Sequence, residues 1–288
     1  MFGLHEGKAP SLEDIDMNSE EKSIEYLKVA KILTACAIII SAFLSLGGIF
    51  LSIYRDNQLI TAVWQGNDIV TLLVAIPMLI WALLRLKPSS QPQSRETLIW
   101  LGGLWYLIYN YVFYVYGAFF NVFFLGYIAV VILSTSAMFF GLIHASSYIE
   151  RFKSIRSSFK SISNFMFGFA ALLGLAWTFM AASYWFTQVV PIAITQTGHP
   201  TGVVFATDLI FLVFPLFLTA WFLRKGSPWA MLVTPIIMVK CCLYPLVFMA
   251  AGLLAYLKTG IYDVLTPIYL ILGLGCAWVL RVMLARLK

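Results

Sequence analysis

Three ionisable residues of this 288-residue chain stand inside long apolar runs: Lys240, Asp208 and Asp68. In hydrocarbon such groups must face a bundle interior or a wet cavity, where they bind ions, relay protons or anchor a polar solute. Lys240 is the most informative. It lies roughly 11 residues into the run 229–256, or about 16 Å at about 1.5 Å per residue, which is too deep for its side chain to reach water easily. Pro235 and Pro245 flank it. Each proline removes a helical hydrogen bond and frees a carbonyl, so a helix broken around a lysine suits a binding or gating element. Tyr244 falls one turn on, on the same face.

Asp208 is the natural partner of Lys240, about 6 Å in from the outer end of the run 204–223 at about 1.5 Å per residue. A pair at that depth must be well satisfied, or one member gives up its charge. Asp68 follows Gly66 and Asn67 at the start of the run 67–84. There it also suits a helix cap, since an acid favours the positive end of a helix. The two runs open alike: Asp68, Pro77, Trp81 and Arg85 in one, Asp208, Pro215, Trp221 and Arg224 in the other. Aligning the aspartates aligns Trp81 with Trp221 and leaves the prolines two positions apart.

A fourth group of candidates lies in the run 98–117. Tyr106, Asn110 and Tyr114 recur every fourth residue and so share one helical stripe. Tyr106 and Asn110 read as interior, lining a solute path. Tyr114 and Tyr116 read as members of an aromatic belt at the membrane surface.

Other chemistry is sparse. The histidines are His5, His144 and His199, and the cysteines are Cys36, Cys241, Cys242 and Cys276. None has metal-ligand or redox spacing, so neither a metal nor a cofactor is expected. Phosphate-binding glycine loops and hydrolase motifs are missing too. An enzyme acting on a lipophilic substrate would have to use His144, Glu150 and Arg151 on the inner rim. A lysine among aromatics in a late helix also invites comparison with retinal-binding proteins, with Asp208 or Asp68 as counterion. Eight spans are one too many for that.

The elements that position these residues follow from composition. Hydrophobic residues make up 61% of the chain and charged residues 11%, against about 25% charged in a soluble domain. A water-facing surface cannot be built from so few charges. A helix crosses a bilayer in about 20 apolar residues, and eight runs qualify: 32–54, 67–84, 98–117, 122–143, 163–187, 204–223, 229–256 and 264–284. The expected fold is an all-α polytopic bundle of about eight transmembrane helices. The first apolar run is too long and too late for a cleaved signal, so it is expected to stay as a span.

Charge sets the orientation. Arg85, Lys87, Arg95, Arg151, Lys153, Arg156, Lys160, Arg224, Lys225, Arg281, Arg286 and Lys288 fall at one set of ends, and only Arg55 and Lys258 at the other. The positive-inside rule then places both termini in the cytoplasm, with the plasma membrane as the expected location. Residues 1–27 hold two lysines against seven acids, a net −5 that leaves +11 for the rest of a chain at +6. Topology accounts for that basic excess without nucleic acid. Ser19, Glu20 and Glu21 read as a helix start leading into the first span.

The expected organisation is an acidic segment, 1–27, and a transmembrane domain, 28–288. The paired aspartate runs suggest halves at 28–150 and 160–288, a parallel 4+4 repeat. The leading expectation for function is a small-solute or ion permease, with a pathway through Lys240, Asp208, Asn110, Tyr106, Asp68 and Tyr244 and helix breaks at Pro235, Pro245 and Pro215. Besides the lipid bilayer, the alternative partner is a protein or a second copy of this chain, engaged through the acidic segment of a sensor or assembly subunit.

Overall fold

The computed structural model describes residues 12–87, 94–147, 149–152, 158–260 and 262–286, with side chains outside the description at 12–20, 94, 150 and 151. Eight helices are long and apolar enough to cross a membrane. They are α1 (Leu12–Phe50), α2 (Gln58–Arg85), α3 (Ser94–Gly117), α4 (Phe124–Ser146), α5 (Lys160–Thr187), α6 (Val203–Arg224), α7 (Pro228–Thr259) and α8 (Thr266–Arg286). One-turn helices at Ile149–Phe152 and Ile192–Thr195 sit in two of the connections. No strand occurs among the described residues.

The spans lie where hydropathy puts them, with two boundary differences. The backbone of α1 is helical from Leu12, so Ser19 falls inside the helix and does not begin it. α2 starts at Gln58, where the Asn57 side chain accepts a hydrogen bond from the Ile60 amide at 3.0 Å. Asp68 is therefore well inside α2 and caps nothing. The polar residues before it hid one amphipathic turn after another, with Ile60, Ala62, Trp64 and Gly66 all turned inward. Between α3 and α4 the break is made by Asn121. Its Oδ1 accepts from the Phe123 amide at 2.9 Å and its Nδ2 donates to the Phe119 carbonyl at 3.1 Å, a local side-chain-to-backbone alternative to continuing the helix.

α3 and α7 form the centre. They pack on one another and are the most buried spans, whereas α5 and α8 are the least buried. α1 and α4 pack tightly together beside α3, but α5 and α8 barely touch. α2 crosses α7 closely at Gly66, where a Cβ would lie 2.7 Å from the Val247 carbonyl oxygen. Only glycine allows that approach.

Both α2 and α6 contain a π-helical turn, Thr71–Ala75 and Leu209–Val213. The cause is local in each. Pro77 and Pro215 stand six positions after the first π residue, and a proline ring clashes with the carbonyl four residues back. Widening the turn relieves the clash: the Ile76 and Phe214 amides reach back five residues, to the Thr71 and Leu209 carbonyls. Such bulges recur at functional sites. α7, by contrast, runs as one unbroken helix through Pro235 and Pro245. Packing on both sides holds it: Gly102 of α3 lies against Val239 and the Ile236 carbonyl, and Gly273 of α8 lies against the Pro245 ring.

Candidate functional site

Lys240 is completely buried at the centre of α7, and its Nζ has no hydrogen-bond partner. Two rings surround it. Nζ is 3.5 Å from the centroid of the Tyr109 ring and 4.4 Å from that of Tyr244, and the two rings meet edge to face with centroids 4.7 Å apart. A desolvated cation gains about 2 kcal/mol from an aromatic face, far less than full desolvation costs it.

Asp208 is reached through Tyr109. The Tyr109 hydroxyl donates to Asp208 Oδ1 at 2.5 Å, and the Trp177 indole N–H donates to Oδ2 at 2.8 Å. Both carboxylate oxygens are thus occupied by donors from α3 and α5. Asp208 is the last residue before the π turn of α6, with its carboxylate held between α3 and α5.

Two cavities meet at this point. One, of about 390 Å³, lies between α5 and α8 and is floored by α6 and α7; Lys240, Tyr244, Asp208, Trp177, Tyr269 and Cys241 line it together with aliphatic and phenylalanine side chains. The other, of about 310 Å³, extends toward the loop ends of α2, α6 and α7 and ends near Asp263 and Gln196. Asp208, Trp177, Tyr244, Phe248 and Tyr269 are shared by both. Volumes of this size suit small-molecule sites, which run from about 300 to 1,000 Å³.

Asp68 forms a separate centre among α1, α2 and α3. Its Oδ2 accepts from the Tyr54 hydroxyl at 2.6 Å and its Oδ1 from the Tyr114 hydroxyl at 2.9 Å. The Tyr114 hydroxyl lies equally close, at 2.9 Å, to the Trp64 carbonyl, so its one proton is shared between the two acceptors, and its ring stacks between Trp64 and Tyr127. The reading of Tyr114 as an interfacial belt residue is overturned: it is 1% exposed, because its hydroxyl satisfies a buried acid. Tyr116, 71% exposed, is the one that faces outward. Gly48 makes room for the centre, since a Cβ there would overlap Asp68 Oδ2 and the Tyr54 hydroxyl. Tyr54 lies in the connection after α1, where burial first and the Asp68 carboxylate second push its hydroxyl well above the usual range. In the same connection burial raises the carboxyl of Asp56.

Tyr106 and Asn110 lie elsewhere again. Both are fully buried, and both meet Thr71 at the first residue of the α2 π turn. Thr71 shares a hydrogen bond with the Tyr106 hydroxyl at 2.9 Å and accepts one from Asn110 Nδ2 at 3.3 Å. They brace the bulge and line neither cavity at Asp208. The structure therefore brings together Lys240, Asp208 and Tyr244, and holds Asp68, Tyr106 and Asn110 apart from them. It adds Tyr109 and Trp177, which the sequence concealed among many other aromatic residues of the spans. The only available sign was that Tyr109 stands next to Asn110.

His144 is at the basic end of α4, bonded to Ser23 of α1 at 2.9 Å. Glu150 and Arg151, which were to act with it, fall outside the described side chains. Among the described residues no group of three histidine, cysteine, aspartate or glutamate side chains could hold a metal ion. Cys241 and Cys276 are buried, Cys242 partly so, and Cys36 is exposed on the bundle surface. No family model matches the chain, and neither the curated proteins nor the solved structures contain a match.

Proposed function

We propose that this multi-pass membrane protein is a small-solute permease whose binding site is the cavity floored by Lys240 and Asp208. The observation that carries the reading is Lys240, a residue bordering a cavity large enough for a solute, whose Nζ is buried without a hydrogen-bond partner. A buried polar group left without a partner costs about 1–3 kcal/mol or more when charged, and binding a ligand is one way a protein puts such a cost to use. The second cavity, sharing Asp208 and Trp177, gives the site a continuation toward the opposite loops. Both termini lie in the cytoplasm on this reading, because Arg85, Arg95, Arg224 and Arg286 gather at one end of the bundle, as expected of the inner face of a plasma-membrane protein.

A parallel 4+4 repeat belongs to the same proposal. Supporting it are the two π turns, each followed by its proline at the same spacing, and the central pairing of α3 with α7. On that alignment the seam between α1 and α4 is closed, while its counterpart between α5 and α8 is parted by the cavity.

The test is a thermal-stability screen of purified protein over ions, amino acids, sugars, nucleosides and lipids, with wild type beside Lys240→Met, followed by uptake into proteoliposomes. A ligand selective for the native state raises its melting temperature by mass action. A solute that stabilises wild type, fails to stabilise Lys240→Met and is taken up supports the permease. Uptake and stability unchanged in Lys240→Met would sink it.

A further inference from the structure

Charge and wall chemistry at the α5–α8 cavity favour one class of ligand. Among the described residues that line it, Lys240 and Asp208 are the only charged ones, one of each sign. A charged ligand would meet no uncompensated countercharge there, and would give up its water without an equal return. Hydrogen bonding offers little more. The Lys240 Nζ and the Tyr244 hydroxyl are buried and have no surface open to the cavity. Both oxygens of Asp208 already accept bonds, from Tyr109 and Trp177, and the single indole N–H of Trp177 is used in doing so. Tyr269 lays its ring on Phe248, with centroids 4.8 Å apart, and Cys241 is buried.

What the cavity presents is carbon. Phe169, Leu172 and Leu173 line it from α5, and Ile268 and Leu272 from α8. Leu172 and Ile268 are also 54% and 46% exposed on the outside of the bundle, and α5 and α8 barely touch. The mouth therefore opens sideways between these two helices. It lies at the level of Lys240, near the middle of the 32-residue α7, where the surroundings of a spanning bundle are hydrocarbon. A molecule dissolved in the bilayer reaches the cavity without passing through water. At about 390 Å³ the space takes one small molecule. The second cavity shares Asp208, Trp177 and Tyr269 with the first and ends near Gln196 and Asp263. That gives the site a continuation from lipid toward the loops opposite the basic end.

We infer that the cavity between α5 and α8 binds a neutral lipophilic small molecule, which enters sideways from the bilayer between the two helices. This rests on the proposal that the same cavity is the permease's binding site.

Photolabelling of the full chain in lipid nanodiscs with benzophenone, a neutral aromatic ketone that inserts into C–H bonds under light, tests it. Labelling saturates with concentration and maps by mass spectrometry to 169–176 and 265–272. At equal concentration in the lipid, diphenylmethane competes, while diphenylacetate and (diphenylmethyl)trimethylammonium compete at least tenfold more weakly. Ala176→Trp and Leu172→Trp, which fill the cavity, reduce labelling tenfold or more. Leu175→Trp, on the outward face of α5 at 70% exposure, leaves it unchanged. Labelling that rises without saturation, or that persists at the wild-type level in both filling variants, overturns the inference, because lipid chains alone then occupy the cleft. Equal competition by either ion overturns the neutral ligand. If Ala176→Trp does not fold, Leu172→Trp and the charge series on wild type decide the matter. Saturable labelling of the cavity, with benzophenone moving between vesicles no faster than without the protein, sinks the permease and leaves this site standing. Lys240-dependent uptake of a polar solute, without saturable labelling, does the reverse.

Discussion

Lys240 lies with its Nζ 3.5 Å from the centroid of the Tyr109 ring, and the hydroxyl of that same ring bonds Asp208. The lysine and the acid are thus joined through an aromatic residue and not by a direct hydrogen bond. One face of Tyr109 attracts the amine while its edge serves the carboxylate, so a change at either end is felt at the other.

Tyr109 variants separate these two roles. Tyr109→Phe keeps the ring beneath Lys240 and removes one donor from Asp208, and should lower stability by about 1–3 kcal/mol, the cost of an under-satisfied buried acceptor. Tyr109→Leu removes the ring as well and should cost more, by about the 2 kcal/mol of a desolvated cation–π contact. Unfolding in detergent measures both. Equal losses for the two variants would show that the ring face contributes nothing.

At the Asp68 centre, Gly48→Ala should destabilise by about 1–3 kcal/mol, as overpacking does, because the new methyl overlaps Asp68 and Tyr54. In an Asp68→Ala background the same substitution should cost distinctly less. A double-mutant cycle reads the difference as a coupling energy, expected within about 0.5–3 kcal/mol for touching groups. Additive effects would mean that Gly48 is needed for some other reason.

The π turns should depend on their prolines. With Pro77→Ala or Pro215→Ala the ring clash is gone and the segment can return to α-helical bonding. Amide exchange at 71–77 or 209–215 should then slow. For Pro215→Ala the rotation upstream of the turn also displaces Asp208 from Tyr109, so ligand binding at the α5–α8 cavity should fall. Exchange unchanged in both variants would place the cause of the bulges outside the prolines.

Asp56 provides a pH dependence outside the spans. Its folded pKa is raised by burial, so between the ordinary aspartate value of about 3.9 and the higher folded one the native state holds more proton than the unfolded chain. Stability then falls as pH rises through that window. Asp56→Asn should flatten that fall in a thermal-unfolding series from pH 4 to 7; an identical slope in the variant would assign the dependence to another group.

Eight spans and the gathering of basic residues at one end were legible in the sequence because both follow from one-dimensional quantities: the length of an apolar run and the charges beside it. Lys240, Asp208 and Asp68 stood out for the same reason, since an ionisable residue in hydrocarbon is conspicuous without any neighbour being known. Which partners satisfy them was decided by tertiary structure alone. Tyr109 and Tyr114 are five residues apart on α3, yet they serve two different acids, because α3 runs between α6 on one side and α2 on the other. Trp177 reaches its acid from the preceding span, and Tyr54 reaches Asp68 from the connection just before α2. Helix breaks behaved alike: four prolines look equivalent as letters, but those of α7 lie within an unbroken helix packed on both sides, and those of α2 and α6 follow π turns. Periodicity determines which face of a helix turns inward. Only the crossing of helices determines what that face meets.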